Sequence, residues 1–358
     1  MKLHASLAGE ALIFFNTILY FSLFFAVRQL FPVLLHFCVQ RKELSNMEYD
    51  IFKETLKNKV SDLLEGSPEI QIRRYVKVNG ISYDGLTVFC PDSNLSPTIP
   101  LTEFYEQYTA GRSMDAIAAE VVSFYNEYKV PVKVSVDHLS DYGKVKDKLR
   151  IRLLNRAMNI ERLSDVPFRE VLDLAACLYM EIEGLGIPNA TCPVRNKELA
   201  AWGKTFEEVY ADAEENMMRY EPGELKAIGE VIKGLRTELE EMAVKADKPR
   251  DFFLTDDVPE ESPAHMFVLT TKGKTFGAAA MLDHTALRTL GELCKADIFV
   301  IPSSIHEVIL LPDEPEVSVD VLRDMVTGIN RTEVPRGDIL SNHIYLYKMD
   351  RDEIVIAG

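Results

Sequence analysis

Cysteine is scarce in this sequence, and the few cysteines follow no pattern typical of a bonded framework. The five residues Cys38, Cys90, Cys177, Cys192 and Cys294 are odd in number and widely spaced, without a C-x-x-C pair. A disulfide framework needs paired cysteines and a structural zinc site needs closely spaced ligands, so the sequence argues against both. Reduced cysteines of this kind fit a cytoplasmic protein, and we expect that location.

Basic residues are also few for a chain of 358 residues. Lys and Arg number 40 against 56 Asp and Glu, which gives a formal net charge of −16. A surface of that charge repels phosphate backbones, so nucleic-acid binding is disfavoured. The sequence does not identify a partner, and a protein is one of the classes left open.

Complete catalytic and cofactor motifs are lacking. The nucleophile elbow G-x-S-x-G does not occur. Gly273-Lys-Thr275 lacks the earlier glycine of a phosphate-binding loop, because Val268 occupies that position. His306-Glu307 begins like a zinc-protease helix, but Leu310 stands where the second histidine is required. We therefore predict no cofactor.

An apolar leader, residues 1–46, precedes the rest of the chain. Its run 11–27 is uncharged and just long enough to cross a thin bilayer as a helix. If it is translated, basic residues on its C-terminal side favour a single-pass anchor with the main domain in the cytoplasm. Lys42-Glu43 can be encoded as a ribosome-binding sequence just before Met47. We expect a start at Met47, and membrane contact only if 11–27 is translated.

From Met47 onward, apolar residues alternate between helical and strand spacing without a strict β-α repeat, which predicts an α+β fold with mixed sheets and amphipathic helices. We predict two lobes, 47–160 and 161–358. The C-terminal lobe has a helical pattern between Arg195 and Met242, and later helices are predicted at Thr285–Cys294 and Val319–Ile329. Its predicted strands are Met266–Thr271, Ala278–Leu282, Ile298–Ile301, Val308–Leu311, Ile344–Tyr347 and Glu353–Ile356.

Two glycine dipeptides near the N-terminus predict tight turns. Asn79-Gly80 and Asp84-Gly85 both lie between the predicted strands Ile70–Val78 and Leu86–Phe89. Residues of these types readily adopt the positive φ that tight turns need. Farther along, apolar residues from Leu225 to Met242 alternate by three and four. That spacing fits a coiled-coil seam, but so short a repeat is more typical of a helix packed on its own domain.

The densest polar cluster is Pro302–Glu307. It lies between Ile298–Ile301 and Val308–Leu311, two short apolar strands that we expect to pair as neighbours. It contains a hydroxyl, an imidazole and a carboxylate at Ser304, His306 and Glu307, the candidate catalytic residues. However, adjacent residues of a strand point to opposite faces, which separates His306 from Glu307. A structural turn in which serine hydroxyls bond the backbone is the simpler interpretation.

Three late histidines, His284, His306 and His343, are candidate metal ligands. Carboxylates occur near them in sequence at Asp283, Glu307 and Asp338, and such a set builds a metal site if the fold gathers it. Their spacing matches no ligand motif, so local hydrogen bonding by each histidine is the alternative.

Several short motifs occur in order along the chain: Val78–Gly80, Asp84–Leu86, Pro100-Leu101 before the Tyr105/Tyr108 helix, Ala201–Gly203, Gly277–Ala279, Ile301–Glu307 and Asp338–Ser341. Together they resemble an uncharacterised domain-of-unknown-function family from gut anaerobic bacteria. More distantly, their order is similar to the YtpQ-like family of Firmicutes, which tends to have Pro-Ser-Arg-Asp where this chain has Pro302-Ser-Ser-Ile305. Neither resemblance implies a known activity.

The absence of a complete catalytic motif, together with the acidic composition, predicts a cytosolic, non-enzymatic binding or accessory protein. The alternative is a hydrolase or metal-dependent enzyme that uses the Ser303–Glu307 segment.

Overall fold

The computed structural model describes residues 49–66, 68–89, 93, 96–129, 137–182, 190–245 and 266–357. The predicted leader, including the apolar helix at 11–27, lies outside these residues. Within the described ranges, no helix is both long enough and apolar enough to cross a bilayer.

The chain divides into two compact units, and each is described by itself. The described residues of the N-terminal unit run from Tyr49 to Val145, with Glu181–Cys192 also assigned to it. The C-terminal unit contains Lys146–Met180 and Pro193–Gly358. The lobes 47–160 and 161–358 remain a prediction about which parts fold independently.

The N-terminal unit packs helices on one face of a small antiparallel sheet, in the order β1-β2-β3. Phe52, Leu56 and Val60 recur at helical spacing and meet the apolar face of the hairpin in the core. Ser113 begins a helix, because its Oγ accepts a hydrogen bond from Ala116 N at 3.3 Å. The elements are α1 (Tyr49–Leu63), β1 (Glu69–Val76), β2 (Ser82–Phe89), β3 (Thr98–Pro100), α2 (Thr102–Thr109), α3 (Met114–Tyr128) and α4 (Tyr142–Val145).

Only one of the two predicted glycine turns is a turn. Asn79 and Gly80 have positive φ values of 57° and 66° in the bend between β1 and β2. The Asp84-Gly85 prediction is wrong, because both residues lie within β2. Gly85 is needed there for space: a Cβ would come within 2.5 Å of Thr98 Cγ2 and 2.9 Å of Tyr75 Cδ2.

The C-terminal unit contains two sheets. In one, β6 lies between β4 and β5; the other has the strand order β13-β12-β10-β11-β9-β8. In chain order after Val145 the elements are β4 (Leu149–Asn155), α5 (Ile160–Leu163), β5 (Phe168–Val171), β6 (Leu174–Glu181), β7 (Thr191–Pro193), α6 (Asn196–Trp202), α7 (Phe206–Tyr220), β8 (Gly223–Ala227), α8 (Ile228–Lys245), β9 (Phe267–Thr271), α9 (Thr285–Cys294), β10 (Ile298–Pro302), β11 (Val308–Pro312), α10 (Val319–Thr332), β12 (Tyr345–Lys348) and β13 (Glu353–Ile356).

The α+β prediction is confirmed, and the sheets are antiparallel. Helix α10 buries Leu322, Val326 and Ile329 in a core that also contains inward residues of the six-stranded sheet. Ile228 and Ile232 of α8 enter the same core, which supports the interpretation of that segment as a helix packed on its own unit. The helix begins at Ile228 and not at Leu225, because Leu225 lies in β8 and pairs with Leu269 of β9.

The strand predicted at Ala278–Leu282 is wrong. Gly277–Leu282 forms a 3-10 helix, and Gly277 to Met281 are buried. A short apolar run signals burial without distinguishing a strand from a helical segment, and here the chain turns beneath the β10–β11 hairpin. Ala278 N donates to Ile305 O in that hairpin at 3.3 Å, which anchors the turn.

Candidate functional site

The Pro302–Glu307 segment connects two paired strands, as the sequence predicts. β10 and β11 are antiparallel, with Ile298 opposite Pro312 and Pro302 opposite Val308. Apolar β-branched and leucine side chains form both strands, and Pro302, which lacks a backbone donor, ends the first. The predicted pairing of Ile298–Ile301 with Val308–Leu311 is therefore confirmed.

Within this connection, Ser304 and Glu307 form a buried pair. Ser304 is 3% exposed and Glu307 8% exposed, and Ser304 Oγ donates to Glu307 Oε1 at 2.8 Å. The same hydroxyl accepts from His306 N at 3.0 Å. Burial raises the pKa of Glu307, and the Ser304 hydrogen bond opposes that rise only in part. The hydroxyl is thus occupied as both a donor and an acceptor inside the turn.

His306 faces away from this pair. Its Nδ1 accepts a hydrogen bond from Phe276 N at 3.2 Å, and its ring stacks on the Phe276 ring with centroids 5.8 Å apart. Its Nε2 lies 3.9 Å from Asp338 Oδ1, beyond direct hydrogen-bond length. Ser304 therefore bonds the backbone of His306, whereas the imidazole is directed to Phe276 and Asp338.

Phe276 is held in a strained backbone conformation. Its φ is 55°, in the left-handed region that favours glycine, and Lys274 has a φ of 54°. The following residue must be glycine, because a Cβ on Gly277 would lie 2.2 Å from Thr270 Oγ1 and 2.5 Å from His306 O. The close approach of these segments fixes the Phe276 ring beside His306.

Arg152 of β4 completes the cluster. Its guanidinium carbon lies 4.1 Å from the centroid of the Phe276 ring, a cation–π contact. Arg152 Nε is buried and has no hydrogen-bond partner among the described residues, and the same holds for Asp338 Oδ2. Burial, and secondarily the charge of Arg162, lowers the pKa of Arg152 to about 10, so it stays protonated at neutral pH.

We refer to Arg152, Phe276, His306 and Asp338 as the Arg152 site. All four residues are partly buried, so each retains some contact with solvent. The site combines an unsatisfied donor, an unsatisfied acceptor and a flat apolar ring, the mixture of groups that binds a small polar ligand. The nearby Cys177 offers no nucleophile, because burial raises the pKa of its thiol to about 12.

The other two histidines pair with other carboxylates. His284 Nδ1 lies 3.1 Å from Asp352 Oδ1, which also accepts from Tyr347. His343 Nδ1 lies 3.1 Å from Asp173 Oδ2. In the part of the chain that the structure describes, no group of three or more His, Cys, Asp or Glu side chains is placed to hold a metal ion.

His343 belongs to a well-connected polar network. Asp173 also accepts from Ser341 Oγ and from Tyr345 Oη, each at 2.7 Å. The Asp173 carboxylate thereby ties the β5–β6 turn to the segment before β12, and burial raises the pKa of Tyr345. This network gives Ser341 and Asp173 structural hydrogen bonds while leaving the His343 side chain about half exposed.

Sequence reasoning missed Arg152, Phe276 and Asp173. The alternation in Leu149–Leu154 predicts a strand but places no distinguishing signal on Arg152. Asp173 follows Leu172, which has a φ of 56°, and neither residue lies in a recognisable turn dipeptide. Only tertiary contacts show that these residues join segments far apart in the chain.

Comparison with known proteins adds one match. No curated protein and no solved structure is similar to this chain. The model of a family of unknown function, DUF5688, matches residues 49–349, which include the Arg152 site and the described helices and strands except β13. Since that match covers most of the sequence, the chain belongs to the family of unknown function DUF5688.

Proposed function

We propose that this protein is a cytosolic, non-enzymatic binding protein, and that the Arg152 site binds a small ligand carrying a carboxylate and a hydrogen-bond donor, such as an amino acid or a hydroxy acid. The observation that carries the proposal is the pair of unsatisfied buried atoms, Arg152 Nε and Asp338 Oδ2. Buried polar atoms without partners are costly, so their retention suggests a ligand that satisfies them.

The chemistry of the two groups selects the ligand class. A guanidinium presents planar, paired N–H donors that match the two oxygens of a carboxylate. The Asp338 carboxylate accepts a hydrogen bond, so it favours an ammonium or hydroxyl group on the same ligand. Phe276 offers its ring to the apolar part of the molecule. The distant relation to the YtpQ-like family and the origin in gut bacteria are inferred from the order of the sequence motifs alone, and the choice of ligand does not depend on them.

The rival proposal is the hydrolase or metal-dependent enzyme based on the Ser303–Glu307 segment. Its support is the approach of His306 Nε2 to Asp338 Oδ1 at 3.9 Å, an imidazole–carboxylate pair of the kind that positions catalytic bases and metal ligands. Against it stand the burial of Ser304 and the use of its hydroxyl within the turn. We therefore favour binding.

A ligand screen tests the proposal. Amino acids, hydroxy acids, simple dicarboxylates and inorganic phosphate are added to the purified 358-residue chain, and binding is measured by calorimetry. Arg152→Lys keeps the charge but loses the planar fork, so we expect it to weaken binding by about tenfold or more. The matched control is Arg156→Lys, because Arg156 pairs with Glu170 at 2.6 Å near the same strand.

Binding of a carboxylate ligand that falls in Arg152→Lys and not in Arg156→Lys supports the proposal. If no compound of the panel binds, or if both variants bind as the wild type does, the Arg152 site is not a ligand site of this class.

A further inference from the structure

The N-terminal unit contains a separate cleft, built where its core ends. On one face of the β1–β2 hairpin the apolar residues Ile70, Leu86 and Val88 pack against the helices. The same face continues as Arg74, which lies opposite Asp84 in the β1–β2 register. The core face thus becomes polar towards the turn that joins the two strands.

Two tyrosines form the other wall of this cleft. Tyr49 opens α1 and Tyr105 lies in α2, and their rings meet edge to face with centroids 4.7 Å apart. Both are partly exposed. With Arg74, Ser82, Asp84 and Glu106 they line a cleft of about 450 Å³, which we call the tyrosine cleft. Its volume is within the range of small-molecule sites.

The tyrosine cleft carries charges of both signs. Lys53 Nζ bonds Asp84 Oδ2 at 3.0 Å and lies 4.8 Å from the centroid of the Tyr49 ring. Arg74 Nη2 donates to Ser82 Oγ at 2.8 Å. Lys53, beside the cleft, also pairs with Asp50 Oδ1 at 2.9 Å, and the charged residues that line the cleft itself are the cation Arg74 and the carboxylates Asp84 and Glu106. A strongly charged ligand of either sign meets repulsion here as well as attraction.

We propose that the tyrosine cleft binds the rings of a neutral saccharide. The C–H faces of a sugar ring pack on aromatic rings, and each sugar hydroxyl both donates and accepts hydrogen bonds. The hydroxyls of one sugar can therefore accept hydrogen bonds from the guanidinium of Arg74 and donate hydrogen bonds to the carboxylates of Asp84 and Glu106, without introducing net charge. This site is independent of the Arg152 site and does not rest on the function proposed for it.

The test uses the 358-residue chain and a panel of neutral hexasaccharides with different linkages, made of glucose, xylose or N-acetylglucosamine. Saturation-transfer NMR reports whether sugar C–H protons contact the protein, and calorimetry gives the affinity. Arg74→Gln and Glu106→Gln alter exposed side chains of the cleft, so we expect both to fold and to weaken binding by about tenfold. Exposed neighbours supply the controls, Arg73→Gln and Glu103→Gln, which we expect to bind as the wild type does.

Binding of at least one oligosaccharide that is weakened by both cleft variants and by neither control supports the proposal. The proposal is overturned if no saccharide binds when its concentration is about 5 mM, because a site that stays empty at that concentration binds saccharides too weakly to be functional. Binding that none of the variants changes also overturns it. Spermine, a cation, and citrate, an anion, are measured as charged comparison ligands, and tighter binding of either one than of every saccharide overturns the proposal as well.

Discussion

The backbone N–H of Phe276 donates a hydrogen bond to Nδ1 of His306 at 3.2 Å, and the two rings stack with their centroids 5.8 Å apart. An Nδ1 that accepts a bond leaves the proton of the neutral imidazole on Nε2, the nitrogen nearer to Asp338. His306 therefore holds the strained Phe276 in place and presents an N–H towards Asp338 within the Arg152 site.

The close approach at Gly277 makes this arrangement sensitive to one methyl group. Gly277→Ala places a Cβ about 2.2 Å from Thr270 Oγ1 and 2.5 Å from His306 O, so backbone has to move. We expect the free energy of unfolding to fall by about 3 kcal/mol, measured by urea denaturation.

The matched control is Gly328→Ala in α10, where an added Cβ meets nothing within 4 Å. Alanine favours a helix interior over glycine, so this variant should gain about 0.5–1 kcal/mol. Equal effects of the two substitutions would contradict the crowding that we describe at Gly277.

Burial of Glu307 predicts a pH-dependent effect of Glu307→Gln. The folded pKa of Glu307 is raised above its ordinary value of 4.5, so the folded protein keeps this proton where the unfolded chain has lost it. The carboxyl's contribution to stability is complete below about pH 4.5 and is lost as the pH rises through the folded pKa. Glutamine does not titrate, so the variant should become more stable relative to the wild type as the pH rises.

Unfolding free energies of the wild type and Glu307→Gln, measured between about pH 4 and pH 8, check this trend. Glu353→Gln, at an exposed position of β13, is the matched control. A difference between wild type and Glu307→Gln that stays constant with pH would show that the carboxyl is solvated.

Elemental analysis separates binding from the metal-dependent alternative. We expect purified wild-type protein to contain no stoichiometric zinc or iron, because His284, His306 and His343 pair with three different carboxylates. His306→Ala should cost about 1 kcal/mol, since Phe276 N loses its acceptor. A metal that is present in the wild type, retained in His284→Ala and lost in His306→Ala would favour the enzyme.

Local patterns predicted much of this fold. The β10–β11 pair follows from two short apolar runs around Pro302, and helix α10 follows from the apolar spacing in Val319–Ile329. Gly85 and Gly277 were harder to interpret. In a sequence, a glycine suggests a turn. Here Gly85 and Gly277 are required because side chains or backbone from other segments leave no room for a Cβ.

The candidate site was predictable only in part. His306 was identified because polar residues cluster around it in the sequence. Arg152 was not, because an arginine in an alternating strand normally faces solvent, and the contact with Phe276 arises from the fold. Long-range juxtaposition of this kind leaves no local pattern in a single sequence.

The most direct test of the account asks whether Arg152 serves the fold or a ligand. The Arg152 guanidinium is buried, and its Nε lacks a hydrogen-bond partner in the described part of the chain. Replacing it by an apolar side chain of similar length removes a desolvation cost, offset by the loss of a cation–π contact worth about 0.5–2 kcal/mol. We predict that the free energy of unfolding of Arg152→Met, measured without ligand, equals that of the wild type or exceeds it by about 1 kcal/mol. We predict that the same variant no longer binds the ligand. A loss of about 3–5 kcal/mol, with Arg156→Met unaffected, would show that the Arg152 guanidinium is structural and would contradict the account.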